Sequence, residues 1–408
     1  MANKEEKALR KLAGKMPLAA IARKLKRSIT SVERKAGRMA IPLAHTVRSL
    51  PPEEQPTPAE ESQGKTIARL AKELSTHRKR EGDYSVLSEK LGDFAKKMPV
   101  PKRLKLKGRP ADKDQEMVAL FSDSHSCETW TRDQTDGLSE YNFEAFCRYI
   151  WGYADMIVGF AKDFRGRYGV RKLHVDFLGD IYHGSLRLDD EATNEYGTVK
   201  GVAMTSSVIF QWLLLLLEHF ETIDARCMAG NHGRLHQKPQ SKRYVGENLD
   251  TLIYSNIKLM TKAAGLADRV KIDIPDSRTH TFSRLGHRIK IGHGDHIRGG
   301  NSIANIPIYG ISRDILRKYR QEFAREGRRE GLALVEYGHF HNCNFIEDIL
   351  FMNGSIVPAD PYATDDLGAV SQQKQWVYFT SKKHAFGWTM PVSLKGSADT
   401  PHGFAVDG

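Results

Sequence analysis

Apolar residues recur at helical spacing three times within the first 42 residues. They then give way to polar sequence and return as short runs. Leu9, Leu12, Ala13 and Met16 follow an i, i+3, i+4, i+7 pattern, and Leu18, Ile21, Ala22 and Leu25 repeat it. In a third segment Val32, Ala36 and Met39 form an apolar stripe, with Thr30 expected to cap that helix. Ser31, Arg34, Lys35 and Arg38 share its opposite face, and "KRSI" ahead of it leaves room only for a tight turn.

Ser49 to Lys65 holds four prolines among polar residues and reads as an extended linker. The pattern divides the chain into a three-helix module (1–44), a linker (45–65), a helical segment (66–98), a basic connector (99–115), a globular domain (116–395) and a frayed tail (396–408). Within the domain five apolar runs are short and partly β-branched or aromatic, so they predict strands: "MVALF", "LHVDFLGD", "ARCMAGNH", "RIKIGHGDH" and "LALVEYGHFH". "VIFQWLLLLLEHF" falls short of the roughly 20 residues that span a bilayer and predicts a buried helix. The start "MANKEEKALRK" has no apolar core of a secretory signal. No membrane partner is expected.

Charge changes the picture. Of the formal net charge of +12, residues 1–115 carry 28 Lys+Arg against 14 Asp+Glu, and the remainder 34 against 36. The basic excess therefore sits on the first quarter, as a polyanion-binding appendage requires. Three short helices with a basic third helix are what a helix-turn-helix needs, and "PLAAIARKLKRSITSVERKAGRMAI" resembles the small helix-turn-helix domains of phage and bacterial proteins. A basic docking module for protein partners is the alternative. Four cysteines (Cys127, Cys147, Cys227, Cys343) without a CxxC pair fit a reducing cytoplasm and small buried side chains.

Each of the five predicted strands ends in metal-type ligands: Asp123 and His125; Asp180 and His183; Asn231 and His232; His293, with Asp295 and His296 behind it; His339 and His341. In α/β sheets ligands bind beyond the carboxyl ends of strands, where such loops converge. Histidine and carboxylate without thiolate suit manganese, iron or zinc. Two such ions clamp a phosphate and acidify a bound water.

In that order "SDSH", "GDIYH", "GNHG", "GHGD" and "GHFH" resemble the motif series of the calcineurin-like metallophosphoesterases, over residues 117–358, with "NGS" (Asn353 to Ser355) after the last. The resemblance implies an α/β fold, a two-sheet β-sandwich flanked by helices with the site at one edge of the sheets, beside the small all-α module. It implies two divalent ions, manganese foremost, with iron or zinc as the other choices. Asp123, His125 and His341 would hold one ion, Asn231, His293 and His339 the other, and Asp180 would bridge. His232 would contact the phosphate and protonate the leaving oxygen, or stabilise its charge. Residues i and i+2 of an extended chain point to one side, which would let His339 and His341 reach different ions.

His183 stands where the DNA-repair nuclease branch of that family commonly has histidine, and the phosphoprotein-phosphatase pattern GDxxDRG is absent. The acidic residue that often follows "GNH" is replaced by Gly233 and Arg234, which adds a cation for a second phosphate. Arg187, Lys238, Lys242 and Arg243 are candidates for tracking a nucleic-acid backbone. Asp295 and His296 would either orient His293 or cap a loop. The leading expectation is a metal-dependent nuclease acting on DNA in a bacterial or phage-infected cytoplasm, homodimeric as its relatives often are. A phosphatase or a phosphodiesterase of small nucleotides or phosphoproteins is the alternative, and a non-catalytic DNA-binding regulator the third.

Overall fold

The computed structural model describes residues 8–13, 16, 18–39, 41, 85–104, 115–184, 193–236, 243–297, 307–326, 331–361, 373–397, 399 and 401–406. The chain divides into two compact units, Met1–Asp83 and Tyr84–Gly408. The expected linker and most of the 66–98 segment lie outside the described residues.

In the first unit, helices Leu18–Leu25 and Ile29–Arg38 follow a helical turn at 8–12. Leu9, Ile21, Ala22, Val32 and Ala36 bury one shared apolar cluster, with Leu12, Ala13, Met16, Leu25 and Met39 half-buried around it. The cap differs from expectation. The helix begins at Ile29, and the Ser31 N–H donates to Ser28 Oγ (3.3 Å), so Ser28 rather than Thr30 caps it. Lys26, in the turn before, is left-handed with φ 51°.

The second unit is built on two sheets, both mixed in strand direction. One has the order β11-β10-β1-β2-β3-β4, using Glu116–Phe121 (β1), Lys172–Phe177 (β2), Thr222–Cys227 (β3), Val270–Asp273 (β4), Lys374–Thr380 (β10) and Thr389–Ser393 (β11). The other has the order β5-β6-β7-β9-β8, using Thr279–Arg284 (β5), His287–Gly292 (β6), Leu334–Tyr337 (β7), Asn344–Ile346 (β8) and Leu350–Met352 (β9). All five apolar runs expected as strands are strands: β1, β2, β3, β6 and β7.

Strand alternation builds the layers. Val118 and Leu120 face inward against Ile289, Ile291, Leu334 and Phe351 of the second sheet. Their neighbours Met117, Ala119 and Phe121 face outward, into the core formed with helices Phe143–Tyr168 and Thr198–Leu217. Val335 and Tyr337 pack outward against Ile311 and Ile315 of helix Ile308–Glu326. The result is two sheets face to face with helices on both outer faces. Thr198–Leu217 is long and apolar enough to cross a membrane by length and composition, and 67% of its apolar window is buried within the domain.

One polar group interrupts the apolar layer between the sheets. Arg284 of β5, 2% exposed, pairs with Asp176 of β2 and lies 3.3 Å from Glu336 of β7. Tyr378 of β10 accepts from Arg284 at 2.5 Å and donates to Glu336 at 2.6 Å.

Two expectations need correction at the edges. Helix 85–97 is part of this unit, with Leu91 and Ala95 buried in its main core. Residues 401–406 of the tail are packed rather than frayed: the Phe404 ring meets Trp151 at 4.9 Å, and the Ala405 N–H donates to Gln211 Oε1 (2.8 Å).

Candidate metal centre

β1, β2 and β3 run parallel and side by side, as do β6 and β7. Their carboxyl ends therefore deliver five loops, and the loops are zipped together beyond the sheets. The Asp123 N–H donates to the Gly179 carbonyl (3.1 Å), and the Ser124 and His125 N–H groups donate to the Asp180 carbonyl (3.0 and 3.1 Å). The β2 and β3 loops touch so closely that a Cβ on Gly179 would lie 2.5 Å from the Gly230 nitrogen. One on Gly230 would lie 2.1 Å from Asp180 Oδ1, so both positions require glycine.

Three clusters of candidate ligands result; His125, His183 and His232 form one without a carboxylate, and the other two are carboxylate-containing triads. Asp123, His125 and His341 form one, with His341 Nε2 3.3 Å from His125 Nε2 and 3.4 Å from Asp123 Oδ1. Asp180, His293 and His339 form the other. There His293 Nε2 stands 2.8 Å from Asp180 Oδ2 and 3.1 Å from Asn231 Oδ1. Asp180 Oδ1 accepts the His232 backbone N–H at 2.8 Å.

Asp123, His125, Asp180, His339 and His341 are all left-handed, with φ between 42° and 73°. Such backbone is costly for residues other than glycine and collects at functional sites. It also corrects the expected route by which His339 and His341 reach different clusters. Both lie beyond the end of β7 in left-handed turns, so turn geometry and not strand alternation separates them.

The donor set fits divalent cations. Asp123 and Asp180 are fully buried, and among the described residues their ion-pair partners are imidazoles alone. Burial, reinforced by His232, holds His125 well below its ordinary pKa, and burial with His293 lowers His339 to about 4. Both are therefore neutral, with a lone pair to offer. Burial opposes protonation of His293, but the Asp180 carboxylate outweighs it and raises that imidazole to about 10. Asp180, which burial alone would raise, is held well below the carboxylate range by His293 and His232. A proton and a cation thus compete for the same carboxylate–imidazole pair.

The group that orients His293 is the Leu178 carbonyl, which accepts from Nδ1 at 2.7 Å. Asp295 instead pairs with Arg278, and His296 lies 3.2 Å from Asp314 on helix Ile308–Glu326. His232 and His183 stand beside the first triad, ring centroids 4.5 and 5.8 Å from His125. His232 Nδ1 is 3.2 Å from the His183 carbonyl oxygen.

Arg234 Nε donates to the Asn231 carbonyl (2.8 Å), and Arg243 pairs with Glu247 at 3.0 Å. Arg187, Lys238 and Lys242 lie outside the described residues. In the first unit Ser31 and Arg34 are exposed and Lys35 half-exposed; the Arg38 side chain lies outside the described residues. Asn353 of "NGS" is a buried strut, donating to Ser122 Oγ (2.9 Å) and Gln375 Oε1 (2.6 Å).

Two residues at the site carry no sequence signal of their own. Glu128 places Oε2 3.2 Å from His183 Nδ1 and 3.9 Å from His125 Nδ1. Asp250 lies far along the chain on helix Leu249–Ala263, yet its carboxylate meets the β2 loop. Burial and Asp180 push it up to about 7 against the pull of nearby backbone amides.

No family model matches the sequence, and no curated protein matches it significantly. Among solved structures, a conserved Streptococcus pneumoniae protein described as a predicted phosphoesterase is similar at 12% identity. The match covers 68% of this chain and 98% of that one, with a TM-score of 0.23. Vacuolar Protein Sorting 29 from Cryptosporidium parvum is similar at 7% identity, over 69% and 99% of the two chains, with a TM-score of 0.27. Phosphopantetheinyl hydrolase from Mycobacterium tuberculosis is similar at 11% identity, over 60% and 91%, with a TM-score of 0.23. At such scores these likenesses bear no weight on mechanism, and the chemistry rests on this chain's own side chains.

Proposed function

We propose that this chain is a metallophosphoesterase of the calcineurin-like superfamily, and that it hydrolyses DNA phosphodiesters. The observation that carries the reading is the convergence of Asp123, His125 and His341 with Asp180, Asn231, His293 and His339 from five strand ends, three in one sheet and two in the other. Asp123, His125 and His341 would hold one divalent cation, and Asp180, Asn231, His293 and His339 the other. Bound there, such ions polarise a phosphoryl oxygen and supply a nucleophilic water at neutral pH.

The remaining roles belong to the chain itself. The contact of His232 Nδ1 with the His183 carbonyl fixes the ring and leaves Nε2 for the substrate, where it protonates the departing oxygen. His183, held by Glu128 beside His125, is the second imidazole facing the phosphate. The Leu178 carbonyl keeps the His293 Nε2 lone pair aimed at the cluster.

The basic N-terminal unit supports DNA over a small ester as substrate. In this reading it is a helix-turn-helix, and Ser31, Arg34, Lys35 and Arg38 meet the DNA. The test is cleavage of end-labelled single-stranded, double-stranded and nicked DNA by the full chain with manganese, iron or zinc. Metal-dependent cleavage lost in His232→Ala is expected. No cleavage of any substrate, with turnover of an aryl monoester instead, would replace the nuclease by a phosphatase.

A further inference from the structure

The residue after Asn231–His232 is glycine, and the structure shows what occupies the space beside it. A Cβ on Gly233 would lie 2.4 Å from Asn248 Oδ1 and 3.0 Å from the Asp250 nitrogen. Asn248 and Asp250 open helix Leu249–Ala263, and they divide two tasks between them. Asn248 is the cap: its Oδ1 accepts the Asp250 N–H at 2.9 Å. That releases the Asp250 carboxylate from its own helix.

The carboxylate, 0% exposed, turns instead to two other loops. Oδ2 accepts from the Asp180 and Gly230 N–H groups, both at 2.9 Å. Oδ1 accepts from Ile181 at 3.1 Å and Tyr182 at 3.2 Å. Three successive amides, 180 to 182, thus form an anion-binding nest whose anion is a side chain of the protein. The nest spans the left-handed residue Asp180, φ 52°, and so holds that residue in a conformation it would otherwise leave. Gly230 is gripped from both ends, because its carbonyl accepts from Asn248 Nδ2 at 2.8 Å. Asn231 follows immediately.

We propose that Asp250 is a positioning residue for the candidate metal centre, clamping the Asp180 loop to the Asn231 loop so that both ligands face one cation. This rests on the metal-binding reading above.

The test uses the full chain and manganese alone, titrated by calorimetry, with thermal unfolding of the metal-free protein recorded beside it. Asn at position 250 keeps the size but presents an NH₂ to amide donors. Asp250→Asn is therefore expected to bind the more affected ion about 10- to 100-fold more weakly than wild type. Excess manganese should restore full occupancy. Phe404→Ala, which removes a buried ring from the tail packing, is the control: a lower unfolding temperature with wild-type manganese affinity is expected. Asn248→Ala loosens the same clamp more gently, should weaken binding several-fold, and decides the matter if Asp250→Asn does not fold.

Wild-type affinity and stoichiometry in the folded clamp variant overturn the assignment, whatever its unfolding temperature. So does equal weakening in Phe404→Ala. A wild-type chain that binds no manganese is titrated with zinc and iron in turn, and binding of none of the three overturns the metallophosphoesterase reading itself, a different and separable failure.

Discussion

The backbone N–H of His339 donates to both carboxylate oxygens of Asp123, at 3.0 and 3.1 Å, although the His339 imidazole belongs to the other ligand triad. Asp123 therefore supports both clusters, one through its oxygens as ligand atoms and one through the chain that carries His339. Asp123→Ala is expected to lose both ions. His341→Ala, which touches only the first triad, should keep roughly one per chain. Elemental analysis of the purified variants after dialysis reads the difference, and equal stoichiometry in the two would break the argument.

His232 contributes no ligand atom to either triad that contains a carboxylate. His232→Ala should therefore keep both ions while losing about 100- to 10,000-fold in turnover, the usual worth of a general acid. Metal content and single-turnover cleavage measured on one preparation check both halves. Coincident loss of metal would make His232 a ligand.

The buried group between the sheets predicts a pH dependence that has nothing to do with metal. Asp176 and Glu336 share Arg284, and Arg226 lies 3.9 Å from Asp176. Burial would raise Asp176, but Arg284 and Arg226 outweigh it and hold this acid below 3.8. Burial and the Asp176 charge push Glu336 well above 4.5, so it is the protonated partner. Asp176 thus stabilises the fold above its unfolded pKa, and that contribution is lost as the pH falls through its folded one. Glu336 works the other way: its contribution is complete below 4.5 and is lost as the pH rises through its raised folded pKa. Glu336→Gln, an isostere of the neutral acid, should match wild type near pH 4. It should become more stable than wild type as the pH rises towards 8. Urea unfolding midpoints across that range test the sign.

Arg284→Met leaves Asp176 buried without its closest cation. A loss of about 3–5 kcal/mol is expected, the cost of breaking rather than replacing a buried ion pair. Adding Asp176→Leu and Glu336→Leu should recover most of it. A single variant as stable as wild type in urea would show that the group contributes little.

Removing residues 1–83, the first compact unit, should leave hydrolysis of a small aryl phosphodiester intact. DNA affinity should fall and its salt dependence flatten, because fewer phosphates are neutralised. Binding isotherms at several salt concentrations measure the slope. An unchanged slope would assign the basic unit to another partner.

The strand ends that carry the candidate ligands were readable in the sequence because strands announce themselves: Val118 and Leu120 inside, Met117 and Phe121 outside. What holds those ligands was not readable. Asp250 and Leu178 act through backbone amides and a carbonyl, which leave no residue signature at a fixed spacing. Arg284, Asp176, Glu336 and Tyr378 come from four strands and meet only when two sheets close. The Thr30 expectation failed because a serine two positions earlier offers the same hydroxyl at the true helix start. The tail expectation failed because one buried aromatic, Phe404, outweighs a polar composition.

Five ligand residues sit in backbone conformations that a glycine would adopt without cost. At those positions chemistry and folding ask for different amino acids. Glycine at Asp123 or Asp180 would relax the turn, but it would abolish the candidate ligand and leave the His339 or His232 N–H without its carboxylate acceptor. At each of these turns the carboxylate or imidazole is kept against the preference of its own backbone.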